Sequence, residues 1–377
     1  MTQCKIRILV LSLVACLMVT GLHVPAKAAA EARSNPTNAF LPAAVPSDYA
    51  VLEKYFVALK EGGANTVIIG PQTGAVPDGD TLTNIVYLAH QSGLRIFFIL
   101  PGRGWTVALM EHPEWEDVRY DLNSGTIVGT GRLDLFNPDA VAYLVKLYRS
   151  VASYSIDGIL VASDFYYGDT EGMSALVMDE YKKRFSAALV PGKAIVRVGS
   201  TRHGPAVLEY GEGFREWTEL KKDRLVAALQ NIMDASRKVN GDVKFGIPLH
   251  ETVLGNPEEA LSKYAFDMQA FQTLNPAWYW ISIPHRDIRE SQRLNYKKSM
   301  EELARIAQAA ATAVQDPSKA LIVIQTTTVS GKVLPFSEIE EATAAVRKSG
   351  EPGIAYMLRP ESTLPIALTK KLFKRQK

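Results

Sequence analysis

Seven times along this chain a short apolar run follows a stretch of helical period, and that alternation limits the fold more than any other feature. The runs at 65–70, 94–100, 156–162, 243–247, 278–283, 320–325 and 353–357 are brief and rich in Val, Ile, Leu and aromatic residues. They are predicted as strands covered on both faces. Between them the spacing predicts helices over 49–61, 82–92, 138–152, 217–239, 257–271, 296–314 and 336–348, with a weak eighth strand near 38–44. Strict alternation favours a parallel sheet, because parallel neighbours need a crossover connection. The expected fold is therefore α/β, a (β/α)8 TIM-type barrel with an irregular first strand. A doubly wound open sheet is the alternative.

The organisation expected is a signal peptide over 1–28, a linker or weak first strand over 29–48, and the barrel over 49–377. Lys5 and Arg7 form a short positive region, 8–24 is mostly apolar, and Ala26-Lys27-Ala28 is an A-x-A cleavage site. The chain is thus expected in the periplasm or secreted. Leu13-Val14-Ala15-Cys16 resembles a lipobox, so a lipoprotein anchored to the outer membrane through Cys16 is a competing expectation. Both cysteines, Cys4 and Cys16, fall in this leader, which leaves no thiol for a disulfide, a metal or a nucleophile in the mature chain. Net charge is +2, from 42 basic and 40 acidic residues, with no basic stripe interleaved with aromatics, so nucleic acid is not an expected partner.

The segment 133–172 carries the chemistry. Asn137-Pro138 is a helix opening, cap then first-turn proline, and the strand 156–162 ends just before Asp164 and Asp169. Carboxylates beyond the C-terminal end of a parallel strand sit where α/β barrels keep their chemistry. The long insertions after the third and fourth strands would be loops at that same face. Read strand by strand, the rim collects Gln72, Asp78 and Asp80, then Arg103 and Trp105, then Asp164, Tyr166, Tyr167 and Asp169. It continues with His250 and Glu251, His285, Arg286 and Asp287, Gln325, and finally Arg359 and Glu361. Glycoside hydrolysis needs two carboxyl groups flanking the scissile bond, and Asp164, Asp169 and Glu251 are the candidates. Trp105, Trp217, Tyr166 and Tyr167 are candidate platforms for sugar rings. Asp78, Asp80, Arg103, His285, Gln325, Arg359 and Glu361 complete the candidate binding set.

Several of these have plainer readings. Asp157-Gly158 is turn chemistry at the far end of its strand, and Asp78-Gly79-Asp80 reads first as a turn. One or both of Trp278 and Trp280 are expected to pack against helices. The six histidines show no H-x-x-x-H or H-E-x-x-H spacing, and no G-x-S-x-G elbow, phosphate loop or dinucleotide fingerprint occurs. No metal or cofactor is expected.

Taken together, Pro77-Asp78-Gly79-Asp80, the run LFNPDA at 135–140, Ile156-Asp157-Gly158-Ile159-Leu160, Asp164 and Asp169, Trp217-Thr218, Ile324-Gln325 and Gly331…Leu334-Pro335 resemble a known family. It is the C-terminal glycoside-hydrolase-like domain of bacterial poly-β-1,6-N-acetyl-D-glucosamine N-deacetylases. The resemblance runs from about Leu52 to Pro365. It implies a (β/α) barrel that binds, and in some members cleaves, partly de-N-acetylated poly-N-acetylglucosamine of biofilm matrix. The family's His-Asp-Asp run stands here as Ala162-Ser163-Asp164, so its histidine and first aspartate are replaced. Two functions follow as expectations: hydrolysis of an amino-sugar exopolysaccharide, or glycan binding without cleavage during its secretion.

Overall fold

The computed structural model describes residues 38–42, 47–70, 76–198, 207–328 and 330–358. All lie in one compact unit, Thr37–Lys377. The signal peptide, Cys16, Gln72, Arg359 and Glu361 fall outside the described residues. No helix among those described is long and apolar enough to cross a membrane.

The strands are β1 (Asn38–Pro42), β2 (Thr66–Ile69), β3 (Arg95–Leu100), β4 (Glu116–Asp121), β5 (Thr126–Leu133), β6 (Gly158–Val161), β7 (Ile195–Val198), β8 (Val207–Tyr210), β9 (Lys244–Pro248), β10 (Trp278–Ile283), β11 (Ala320–Gln325) and β12 (Gly353–Leu358). Seven of them form a curled, wholly parallel sheet in the order β2-β3-β6-β9-β10-β11-β12. β1 pairs with β12 along its whole length, and with β2 at Ala39 and Phe40 only. A doubly wound sheet reverses its strand order midway; this one runs in sequence order, so that alternative is set aside.

Residues of alternate parity divide between two cores, as the pleat requires. Val67, Ile69, Ile96, Phe98, Ile159, Tyr279, Ile322 and Tyr356 face outward and join one large cluster with the surrounding helices. Ile68, Phe97, Leu160, Trp278, Trp280, Leu321, Val323 and Ala355 face inward and form a second cluster in the curl of the sheet. The expectation that one or both of Trp278 and Trp280 pack against helices is corrected. Two residues apart on one strand, they share the inner face. Trp278 stacks on Phe97 with ring centres 4.4 Å apart, and the Trp280 indole N–H donates to the Val161 carbonyl at 2.9 Å.

Helix boundaries follow local chemistry. Asp78 caps Gly79–Gln91, Asn137 caps Pro138–Ala152 with proline in its first turn, and Ser174 caps Ala175–Phe185. The long helix Phe214–Arg237 begins three residues before the sequence places it. The helix expected over 257–271 is two, Pro257–Tyr264 and Met268–Gln272, parted by Ala265 in the left-handed region. The two long insertions carry structure of their own: the antiparallel pairs β4–β5 and β7–β8.

Candidate functional site

The C-terminal ends of the sheet strands, with the insertions after β3 and β6, define the candidate site. Ser282 has the inward parity of Trp278 and Trp280 yet is exposed, as is Ser163 just past β6. Among the described residues the inner face is thus exposed at Ser282, above the tryptophan layer.

Asp164 sits at this mouth, half-buried, with its carboxylate already engaged. Oδ1 accepts the Gly102 amide at 2.8 Å, while Oδ2 accepts the amides of Arg103 at 3.0 Å and Gly104 at 2.5 Å. A Cβ on Gly104 would lie 2.8 Å from Oδ2, so the loop wraps this closely only because position 104 has no side chain. Asp164 thus anchors the loop after β3. Asp169 looks elsewhere. Its Oδ1 accepts its neighbour Thr170's amide, and the Tyr210 hydroxyl donates to Oδ2 at 3.4 Å. Glu251 is more than half exposed and pairs with Arg305 at 3.3 Å, on the helix Tyr296–Ala313 outside the sheet.

Beneath the mouth lies a buried polar cluster. Arg103, with no exposed surface, pairs with Asp117 and with Glu171, donates to the Leu133 and Tyr166 carbonyls, and lies 3.8 Å over the Tyr167 ring. Arg132 pairs with the other oxygen of Glu171 and donates to the Tyr166 hydroxyl at 2.9 Å. The buried Lys221 ammonium donates to the carbonyls of Gly168 and Glu171 and sits 3.7 Å over the Trp217 ring. The Tyr167 hydroxyl donates to Asp134, which also accepts from Ser174 at 2.6 Å. Burial pushes the Asp117 carboxyl up to about 7 and the Lys221 ammonium down to about 7.

Tyr166, His250 and Tyr264 form an aromatic corner on the rim. His250 stacks face to face on Tyr264 at 4.2 Å, and Tyr166 stands edge-on to both. Burial, then the neighbouring Arg132, lowers the His250 pKa to about 4, so the ring is neutral at pH 7.

Several expected binding residues are corrected on burial. Trp105 and Trp217 are 1% and 0% exposed and spend their indole N–H groups on the carbonyls of Pro101 and Gly172. Neither can stack on a sugar. Tyr167 and Arg103 are likewise interior, fixed in the cluster above. Asp78 is a helix cap whose carboxyl is held low by Thr81, and Asp80 is exposed in the same first turn. His285 is buried 3.7 Å from Glu338, with burial lowering its pKa to about 4. Gln325 points inward at the end of β11, where its amide joins the Arg286 backbone, Asp287 and Thr327. Asp157 is the turn anchor expected, accepting from the Ile96 amide and pairing with His90.

Asp117, Arg132, Glu171, Lys221 and Tyr264 were not found from the sequence. Only Lys221 left a signal. It lies at i+4 from Trp217 and i−4 from Leu225 on the apolar stripe of its helix, where a cation needs an interior partner. Among the described residues no group of three or more His, Cys, Asp or Glu is arranged to hold a metal.

No protein-family signature and no curated protein sequence matches the chain. Solved structures do. The glycoside hydrolase domain of PgaB (BpsB) from Bordetella bronchiseptica superposes with a TM-score of 0.65 at 12% identity, covering 86% of this chain and 94% of that one. The catalytic domain of β-amylase from Paenibacillus polymyxa superposes with a TM-score of 0.60 at 14% identity, covering 90% and 98%. The chain has a glycoside-hydrolase-like α/β fold.

Proposed function

We propose that this chain is an exported glycan-binding protein whose sheet closes through β1 as an eight-stranded (β/α) barrel. Its mouth holds an amino-sugar exopolysaccharide of the poly-β-1,6-N-acetylglucosamine type without cutting it. The observation that carries the absence of cleavage is the state of Asp164. Three backbone amides occupy its oxygens, Asp169 is turned to Tyr210, and Glu251 lies on the outer surface. The usual two-carboxylate hydrolysis needs both groups facing one bond, about 5 Å apart for retention or roughly 6.5–9.5 Å for inversion. The replacement of the family's histidine and first aspartate by Ala162 and Ser163 points the same way. The choice of glycan rests on the sequence resemblance and on the likeness of fold to the PgaB domain. The aromatic corner Tyr166–His250–Tyr264 supplies a stacking surface. Hydrolysis is the second reading, favoured by the position of Asp164 after the fourth strand of the proposed barrel.

The deciding experiment incubates the mature protein with partly de-N-acetylated poly-β-1,6-N-acetylglucosamine and measures retention and released fragments. Retention without fragments is expected. Fragments that disappear in Asp164→Asn would establish the hydrolase instead, and loss of both retention and fragments would end the glycan reading.

A further inference from the structure

The helical layer outside the sheet carries a groove of about 790 Å³ between the helices Pro138–Ala152 and Phe214–Arg237. Lys146, Arg149, Arg224 and Lys238 line it against a single acid, Asp234, whose Oδ1 accepts the Gln230 amide at 2.7 Å. None of the four cations has a carboxylate within ion-pair distance among the described residues. Arg149 and Lys238 stand at helix C-termini, where the helix dipole favours positive charge. That accounts for two of the four. Lys146 and Arg224 lie inside their helices, and Arg224 lies 4.7 Å over the Phe136 ring with no carboxylate within ion-pair distance among the described residues.

We propose that this groove binds a linear, carboxylate-bearing oligosaccharide, a polyuronate, independently of the mouth. Four cations without an ion pair, set against one acid, leave the trench a net positive charge that an extended anion would neutralise. The wall residues between them, chiefly Val141, Ala142 and Val145, are small and aliphatic. Such a surface suits the C–H faces of pyranose rings. It offers no deep pocket to anchor a peptide side chain and no aromatic face on which a nucleobase could stack. A cationic, de-N-acetylated glucosamine polymer would be repelled, so the groove and the mouth would hold glycans of opposite charge.

The test is titration calorimetry of the mature protein with hexagalacturonate, using maltohexaose as the neutral chain and hexaglutamate as the acidic peptide. Hexagalacturonate is expected to bind more tightly than either, and more weakly as salt rises. Lys146→Gln and Arg224→Gln should each weaken it about three- to fivefold, the scale of one exposed ion pair, and Lys146→Arg should restore binding. Both glutamine variants replace partly or fully exposed side chains, and an unchanged melting temperature checks that they fold. Equal binding of maltohexaose, or full affinity in the double variant, would overturn the site. Equal binding of hexaglutamate would overturn its assignment to a saccharide.

Discussion

Arg103 and Glu171 meet in the interior, Nη1 to Oε2 at 2.9 Å, and join the insertion after β3 to the insertion after β6. With Asp117 on the other arm of the guanidinium, one side chain fixes the loops that build the mouth. Replacing Arg103 by Met leaves the buried Asp117 carboxylate unpaired and Glu171 with Arg132 alone. A loss of about 3–5 kcal/mol in denaturant unfolding is expected, and Arg103→Lys should not recover it, because an ammonium cannot serve both partners in one plane. A loss below about 1 kcal/mol would show that the pair is dispensable.

Asp164→Asn keeps the side chain's size but removes the charge that three amides share. Unfolding experiments should register a cost of about 1–3 kcal/mol, and limited proteolysis should cut faster near residues 101–105. An unchanged proteolysis pattern would contradict the anchoring role.

The Tyr264 ring, partly exposed, stacks on His250 in the aromatic corner. Tyr264→Ala should weaken retention of partly de-N-acetylated poly-N-acetylglucosamine about fivefold to tenfold, the scale of one aromatic pair. Retention equal to wild type would place the glycan elsewhere on the rim.

Acid should destabilise the fold through its buried imidazoles. The folded pKa values of His250 and His285 are near 4, below the ordinary 6.5, so between pH 6.5 and 4 the unfolded chain binds more protons. Stability from these residues is complete above about pH 6.5 and is lost as pH falls towards 4, by at most about 3 kcal/mol each. Asp117, raised to about 7, acts with the opposite sign, since its folded form binds the extra proton between pH 4 and 7. His285→Gln should therefore flatten the acid limb of a stability–pH curve. An identical slope in that variant would refute the assignment.

Inside the sheet, a Cβ on Gly158 would come within 2.1 Å of Phe97, itself stacked on Trp278, and within 2.6 Å of the Lys244 carbonyl. Gly158→Ala should cost about 3 kcal/mol, because neither the ring nor the backbone can retreat. A shift in melting temperature of less than a degree would show slack in that layer.

The strands and most helices were legible because burial writes its period into the sequence. The run RIFFIL became β3, and Asn137-Pro138 marked a helix start within one residue. Residues of the mouth were legible only as positions after strands. Trp105 and Tyr167 follow strands just as an exposed platform would, and nothing local tells that the insertions fold back and cover them. That covering depends on contacts spanning many residues, such as Arg103 with Glu171, and on the backbone bridge from Arg119 in β4 to Glu171 in the insertion after β6. The role of Gly102-Arg103-Gly104 is hidden in the sequence for the same reason. Its glycine becomes meaningful only once Asp164, sixty residues later, is seen inside the turn.

Because the Trp280 indole reaches across to the Val161 carbonyl, the sheet encloses a cup with a solid base instead of a bore. A polymer seated there must lie across the lip and leave sideways at both ends. Long chains could thus be grasped anywhere along their length, and capping a polysaccharide's termini should make no difference to how well it is held.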